Sequence, residues 1–149
     1  MLGSRSTDGG KTWQSEGLVY DPAEHDRPFS YHGPMVSRFD DGAMTILAHR
    51  WERIDPEQPL FNGDTGGLLP GETVLFRSTD DGASWTGPEV IDMPGGLVLT
   101  PSCKILVQAD GRWMMATDQW HAFDEPGPYK PRTIALFSSD EGRTWGDAV

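Results

Sequence analysis

Cysteine, long apolar runs and basic residues are all scarce in this sequence of 149 residues. Cys103 is the single cysteine, which excludes an intrachain disulfide and a cysteine-rich zinc site. No run approaches the roughly 18 apolar residues that a membrane-spanning helix needs. Residues 1–5 also lack the pattern of a secretory signal peptide and lead directly into a turn sequence.

Basic residues are also few, because the sequence has 12 Lys and Arg against 23 Asp and Glu, which gives a net charge of −11. Nucleic acid is therefore not an expected partner, because proteins bind it through a basic surface. An anionic membrane surface is excluded for the same reason. A negatively charged ligand would need a local cluster of arginines that offsets the negative electrostatic potential of the whole chain.

Glycine, proline and tryptophan are abundant by contrast, with 18, 12 and 6 residues. The aromatic residues argue against disorder, because such side chains require a core. No segment keeps a helical period of apolar residues. The composition and length predict one all-β domain built from short strands and many turns.

One eight-residue pattern, S-x-D-x-G-x-[ST]-W, occurs three times, at residues 6–13, 78–85 and 138–145, and we call these segments the turn motifs. Aspartate followed by glycine two residues later is typical of a tight turn, in which the carboxylate accepts backbone N–H groups and glycine takes a positive φ. The tryptophan then begins the next strand and is expected to pack into the core. The chemistry of the pattern thus favours a structural role over a catalytic or calcium-binding one.

The segments between the turn motifs also repeat, as a four-stranded antiparallel unit whose strands we call A to D. Asp41-Gly42 and Asp110-Gly111 each separate two apolar runs, which is a strong hairpin signal for an A–B turn. Each turn motif joins strand C to strand D. The predicted strands are 34–39, 43–49, 72–77 and 85–92 in one unit, 103–108, 112–117 and 132–137 in the next, and 13–20 before both.

A four-stranded unit that repeats at this spacing predicts a β-propeller blade. The sequence contains enough strands for two blades. They lie in three pieces, at about 1–20, 21–92 and 93–149, which together form a single partial domain. A closed propeller of at least four blades needs about 200 residues or more. We therefore expect the remaining blades of a longer chain, or self-association, to complete the ring.

The three turn motifs resemble the Asp boxes (BNR repeats) of the sialidase, or neuraminidase, superfamily, whose members fold as six-bladed propellers. Residues 41–85 are similar in order and length to the first blade of bacterial sialidases. The resemblance implies an incomplete all-β propeller of two to three blades. It also implies part of an exo-α-sialidase-type glycoside hydrolase that acts on terminal sialic acid or a related acidic sugar. An extracellular or periplasmic location follows from the same resemblance, and no cofactor or metal is implied.

Strand direction selects the candidate site, because A–B and C–D turns share one face while D–A and B–C loops share the other. In sialidases the active site lies on the loop face, near the axis. The residues expected to bind the glycan there are His32, Arg50, Glu52, Asp118 and Trp120. His25, Asp26 and Tyr129 belong to the same loops.

Sialidases use three arginines for the sialate carboxylate, an aspartate as acid and base, and a tyrosine nucleophile assisted by a glutamate. Asp64, or else Asp55, is the positional match for the catalytic aspartate. His32 stands where the family has its first arginine, and Tyr31-His32-Gly33-Pro34 replaces the motif Phe-Arg-Ile-Pro. The tyrosine and the later arginines belong to blades that this sequence lacks.

Several alternatives stay open on sequence alone. Trp51 and Trp120 either stack on a sugar or cap the blade core, and His49 is either a site residue or a core histidine. Arg50, Glu52 and Arg53 also fit a solvated charge run, while Arg77 and Arg132 fit surface or inter-blade ion pairs. The histidine in place of the arginine favours a non-catalytic glycan- or protein-binding propeller, or another Asp-box glycosidase, whereas the aromatic and ionisable residues gathered at the B–C loops favour an active cleft.

Overall fold

The computed structural model describes residues 1–21, 23, 27–94, 98–127, 130, 132–147 and 149. Strands account for its regular structure: β1 (Leu2–Arg5), β2 (Gln14–Leu18), β3 (Phe29–Arg38), β4 (Met44–Glu52), β5 (Glu72–Ser78), β6 (Thr86–Ile91), β7 (Val98–Pro101), β8 (Leu106–Val107), β9 (Trp113–Trp120) and β10 (Arg132–Ser138). Within these ranges no helix is long and apolar enough to cross a membrane.

The strands form three antiparallel sheets, and the expected all-β fold class is confirmed. A complete four-stranded sheet has the order β3-β4-β5-β6, as expected for strands A to D. The second four-stranded sheet has the order β10-β9-β7, with β8 also paired to β9, and β1 pairs with β2 in a smaller sheet. The sheets do not close into a barrel, which agrees with an incomplete propeller. The division of the chain at about 20 and 92 stays a prediction.

Strand A of the second sheet differs from the expectation of one continuous strand over 103–108. It consists of β7 and β8, which pair with the two halves of β9 and leave residues 102–105 outside the ladder. Ile105 turns into the core instead, and its carbonyl accepts a hydrogen bond from the buried Ser37 Oγ at 3.0 Å. Cys103 is only partly buried, and its Sγ accepts the backbone N–H of Ala116 at 3.1 Å. Contact between the two sheets therefore interrupts this strand.

The core lies between successive sheets, so β4 and β5 are buried on both faces. One face of these strands, with Leu47 and Leu75, packs against Leu99, Met115 and Leu136 of the next sheet. The opposite face packs against residues that flank β1 and β2; the residues of that cluster are Tyr20, Ile46, Ala48, Val74 and Phe76. Because the side chains of a strand alternate, neighbouring residues of β4 face different sheets.

The three turn motifs share one hydrogen-bonding scheme. In the second motif, Asp80 accepts hydrogen bonds from the backbone N–H and hydroxyl of Ser84 and from the Ser78 hydroxyl. The indole of Trp85 donates to the Gly82 carbonyl at 3.1 Å, and Gly82 has the expected positive φ of 84°. The expectation that each tryptophan packs into the core is right for Trp145 but wrong for Trp13, which is 64% exposed on the β1–β2 side.

Replacing Asp80 with alanine is expected to lower the thermal midpoint, because the turn loses three hydrogen bonds at once. Hydrogen bonds from Ser84 and Ser78 lower the pKa of Asp80 to about 2. A lowered carboxyl pKa stabilises the fold above the ordinary value, and this contribution disappears as the pH falls towards 2. Thermal melts at pH 7 and pH 2 measure both effects. Asp41→Ala is the control, since the carboxylate of Asp41 accepts a hydrogen bond from the backbone N–H of Ala43, and a similar loss there would contradict the assignment.

Candidate functional site

The loop face is the edge where β3, β5 and β7 begin and where β4 and β9 end. The strand register pairs Phe29 with Glu52 and Arg50 with Glu72 at this edge. Ser78, which opens a turn motif, pairs with Met44 at the other end of the sheet. The loops at the ends of β4 and β9 therefore meet on the side opposite the turn motifs.

The long loop 53–71 crosses from the first four-stranded sheet to the second and is tied there by main-chain contacts. Leu68 forms a parallel bridge with Ala122, and its N–H donates to the His121 carbonyl at 3.0 Å. The Phe123 carbonyl accepts two further bonds, from Asn62 Nδ2 at 2.9 Å and Thr65 Oγ1 at 2.6 Å. The two loops thus form one rim over the gap between the sheets.

Beneath this rim lies a cavity of about 170 Å³, which we call the loop-face pocket. Residues from both sheets and from the long loop form its walls: His32, Gly33, His49, Trp51, Phe61, Leu68, Thr100, Pro101 and Trp120. Three aromatic rings and two imidazoles therefore surround a small, mainly apolar space.

The two tryptophans of the pocket have different environments. Trp51 is 4% exposed, packs its ring 4.5 Å from that of His49, and donates its indole N–H to the Leu69 carbonyl. It therefore caps the core, although one part of its surface reaches the pocket. Trp120 is only half-buried; its indole N–H bonds to Thr100 Oγ1 at 2.9 Å and its ring contacts Phe61 at 5.4 Å. Of the two, Trp120 is the ring that is more accessible to a ligand.

His49 is a core histidine at the floor of the pocket, 3% exposed. Its Nδ1 lies 3.2 Å from Thr73 Oγ1, and its Nε2 has no hydrogen-bond partner among the described residues. Gly71 passes so close that an added Cβ would lie 2.4 Å from that Nε2. Burial, together with the nearby His32, lowers the pKa of His49 to about 4. The ring is therefore neutral at pH 7.

We expect this histidine to make the fold acid-sensitive between about pH 6.5 and pH 4. In that window the imidazole is protonated in the unfolded chain but stays neutral in the folded chain. The free energy of unfolding therefore decreases as the pH falls, by on the order of 3 kcal/mol in total. Urea titrations at pH 7 and pH 4.5 measure the loss, and His49→Gln should reduce it. An equal loss in the variant would assign the acid sensitivity to other groups.

Arg50, a predicted carboxylate ligand, lies on the other face of β4 and outside the pocket. It is 7% exposed, and its Nε and Nη2 donate to Glu72 Oε2 at 2.8 and 2.7 Å. Its guanidinium lies 4.2 Å from the centre of the Phe29 ring, and Nη1 reaches the Tyr31 hydroxyl at 3.5 Å. This arginine therefore links the strands on either side of β4.

The three predicted acidic residues also lie outside the pocket walls. Glu52 accepts a hydrogen bond from Arg27 at 2.8 Å, and Asp118 accepts one from Thr133 Oγ1 at 2.9 Å. Asp64 is exposed on the long loop, where its backbone N–H donates to Asn62 Oδ1. The alternative, Asp55, caps the N–H of Glu57 in the same loop.

Of the six predicted site residues, the structure thus brings His32 and Trp120 together in one pocket. His25, Asp26 and Tyr129 lie outside the described residues. Phe61, Leu68 and Thr100 were missed, because no pattern in the sequence distinguishes them from loop and strand residues. In the part of the chain that the structure describes, no three His, Cys, Asp or Glu side chains are grouped to hold a metal ion.

No family model matches the chain. In sequence, it is 29% identical over 154 residues to a protein named "Sialidase" from Bacteroides fragilis (strain YCH46). That match covers 95% of this chain but 27% of the relative, so the chain spans about a quarter of the relative's length. In structure, the chain is similar to the Hadza microbial sialidase Hz136, with a TM-score of 0.70, 23% identity, and 95% of this chain and 29% of that chain covered.

A protein of unknown function from Dyadobacter fermentans DSM 18053 has the same fold over this length. The TM-score is again 0.70, with 24% identity and coverage of 97% of this chain and 42% of that chain. The resemblance to the sialidase superfamily therefore extends over nearly the whole chain in both sequence and fold.

Proposed function

Because this chain is similar to a sialidase over 95% of its length, we propose that it is a segment of a sialidase-type glycoside hydrolase. We place its contact with the glycan at the loop-face pocket. The observation that carries this placement is the aromatic wall formed by Trp120 and Phe61 at the meeting of two sheets. Aromatic faces suit sugars because the C–H groups of a sugar ring form an apolar surface that packs on them.

The size of the pocket limits how much of a sugar it holds. Its volume of about 170 Å³ is below the roughly 300 Å³ at which complete ligand sites begin. The pocket therefore accepts one substituent or one edge of the sugar, with His32 and Thr100 as polar contacts. The remaining contacts would come from further blades of the propeller or from another copy of the chain. A terminal sialic acid or a related acidic sugar remains the proposed substrate.

Asp64 is our proposed acid and base for hydrolysis. It stands on the long loop that closes the pocket, it is exposed, and no ion pair is found for it in the described part of the chain. The proposal rests on its position in the loop and on the resemblance to sialidases.

A non-catalytic glycan-binding segment is the second candidate, and the state of the loop-face arginines favours it. Arg50 is paired with Glu72, Arg27 with Glu52, and Arg53 donates to the carbonyls of Pro56 and Gln58. A sugar carboxylate would compete with these acceptors for the arginine N–H groups that they already hold. Recognition through aromatic stacking alone requires no such exchange.

Binding of sialyllactose to the 149-residue chain, followed by calorimetry, tests the placement of the site. We expect Trp120→Ala to weaken binding roughly tenfold to thirtyfold, as truncation of an aromatic anchor does. Trp13→Ala is the matched control, because this exposed tryptophan lies in a turn motif on the other face. Equal weakening in both variants, in this chain or in a longer protein that contains it, would contradict the proposed site.

Release of free sialic acid distinguishes the two candidates. The hydrolase predicts turnover that Asp64→Asn abolishes while sialyllactose binding is kept. Binding without turnover in the chain, and in a longer protein that contains it, would favour the non-catalytic segment. Equal affinity for lactose and sialyllactose would remove the acidic sugar from the proposal.

A further inference from the structure

A second and larger space separates the same two sheets at their opposite end, and nothing in the proposed function uses it. This turn-face cleft has a volume of about 760 Å³ and opens where β3 and β5 end. Its walls come from both four-stranded sheets, including Thr45, Arg77, Lys104 and Trp113. The cleft is therefore a candidate site of its own, distinct from the loop-face pocket.

The cleft concentrates positive charge in an acidic chain. Four of the twelve basic residues line it, but only three of the 23 acidic ones do. The basic residues are Arg38, Arg77, Lys104 and Arg143, and the acidic ones are Asp40, Asp41 and Glu141. Lys104 is exposed, and it forms no ion pair with the residues that the structure describes. Carboxylates already hold the other three, Arg38 by Asp81, Arg77 by Glu89 and Arg143 by Glu141, so Lys104 is the one of the four that a negative charge reaches without displacing an acidic partner.

Two polar atoms of the cleft residues are buried without a partner among the described residues, Thr45 Oγ1 and Arg77 Nη2. Thr45 and Arg77 are direct cross-strand neighbours on β4 and β5, so their side chains share the face that looks towards the second sheet. An unpaired buried donor costs free energy, and such a group gains when an acceptor reaches it. Glu89 occupies the other side of the guanidinium, with Arg77 Nε 3.0 Å from its Oε2.

Apolar side chains border these polar groups directly, and the Arg77 guanidinium lies 5.7 Å from the centre of the Trp113 ring. Phe39 and Trp113 stack in parallel across the two sheets, with ring centres 4.5 Å apart and an angle of 11° between the planes. Leu106 and Val107 of β8 continue this wall and are 39% and 53% exposed. A ligand with an apolar body beside its negative charge would cover these side chains.

We propose that the turn-face cleft binds a small organic monocarboxylate with a ring-shaped apolar body. Its carboxylate would accept hydrogen bonds from Arg77 and Thr45, with Lys104 adding charge, while its ring lies against Val107 and the edge of Trp113. Binding includes a rotation of the Arg77 side chain from Glu89 towards the cleft and a rotation of the Thr45 side chain, since Arg77 Nη2 and Thr45 Oγ1 are both buried from solvent. A phosphate dianion fits less well, because Asp40, Asp41 and Glu141 lie along the same rim.

Benzoate, with benzamide as its neutral counterpart and inorganic phosphate as the competing anion, tests the proposal on the 149-residue chain. Amide and indole NMR shifts locate the binding, and their titration gives the affinity. We expect benzoate to shift the Trp113 indole and the Thr45 amide, with benzamide and phosphate each at least about tenfold weaker, the effect of losing one charged hydrogen bond. Equal binding of benzamide, tighter binding of phosphate, or shifts confined to the loop face would overturn the proposal.

Three variants assign the contact to Arg77. Arg77→Met should weaken benzoate at least about tenfold, whereas Glu89→Gln should strengthen it, because the glutamate no longer competes for the guanidinium. Arg27→Met, at the loop face, removes a positive charge remote from the cleft and should leave the affinity unchanged. Because Glu89 is exposed, its variant keeps the test valid if Arg77→Met fails to fold. Unchanged binding in Glu89→Gln, or equal weakening in Arg27→Met, would contradict the assigned contact.

Discussion

Replacing Gly67 with alanine is expected to separate the two loops that close the loop-face pocket. The added Cβ would lie 2.2 Å from the Ala122 carbonyl oxygen and 2.8 Å from the Phe123 Cα, and both of these are main-chain atoms that cannot turn away. Separation breaks the hydrogen bonds that Asn62 and Thr65 donate to Phe123 and the one that Leu68 donates to His121. We expect a loss of about 2–4 kcal/mol in the free energy of unfolding.

The same change should also weaken glycan binding, because Phe61 lies on the displaced loop and forms part of the pocket wall. Urea titration and sialyllactose calorimetry measure the two effects. Gly63→Ala is a matched control in the same loop, since a Cβ there meets nothing within 4 Å. If both alanine variants keep parental stability, the loops are not held together in the way described.

Replacing Leu75 with alanine is expected to weaken the joint between the two four-stranded sheets. Its side chain has no exposed surface and packs in the cluster that contains Leu47 of its own sheet and Leu136 of the next one. Loss of the buried methyl groups and the resulting cavity should cost about 3–5 kcal/mol. That is a large part of the roughly 5–15 kcal/mol that stabilises a typical domain.

Equilibrium denaturation followed by tryptophan fluorescence measures this loss. Val90→Ala, on the neighbouring strand β6, is the control, because Val90 is 52% exposed and its truncation should change stability by about 0.5 kcal/mol or less. A stability loss in Leu75→Ala no larger than that of Val90→Ala would mean that the two sheets do not depend on this cluster.

The site was less predictable than the fold because one face of β4 borders the pocket while the opposite face does not. Arg50 and Trp51 are adjacent at the end of β4, and the sequence placed both at the loop face. Side-chain alternation directs Trp51 towards the second sheet and the pocket, and Arg50 towards Tyr31 and Glu72. Sequence position alone cannot determine which of two neighbouring faces borders a cavity, since that depends on how the next sheet packs.

The sequence by itself determined the class of fold and the pairing of most strands. The Asp-Gly turns and the turn motifs act locally, through short hydrogen bonds and positive φ angles, so eight residues suffice to specify each of them. The tertiary structure alone decided the break between β7 and β8, the contact of Phe61 with Trp120, and the unpaired groups of Thr45 and Arg77. Each of these depends on contacts between sheets that lie far apart in the sequence, where packing and loop closure outweigh local preference.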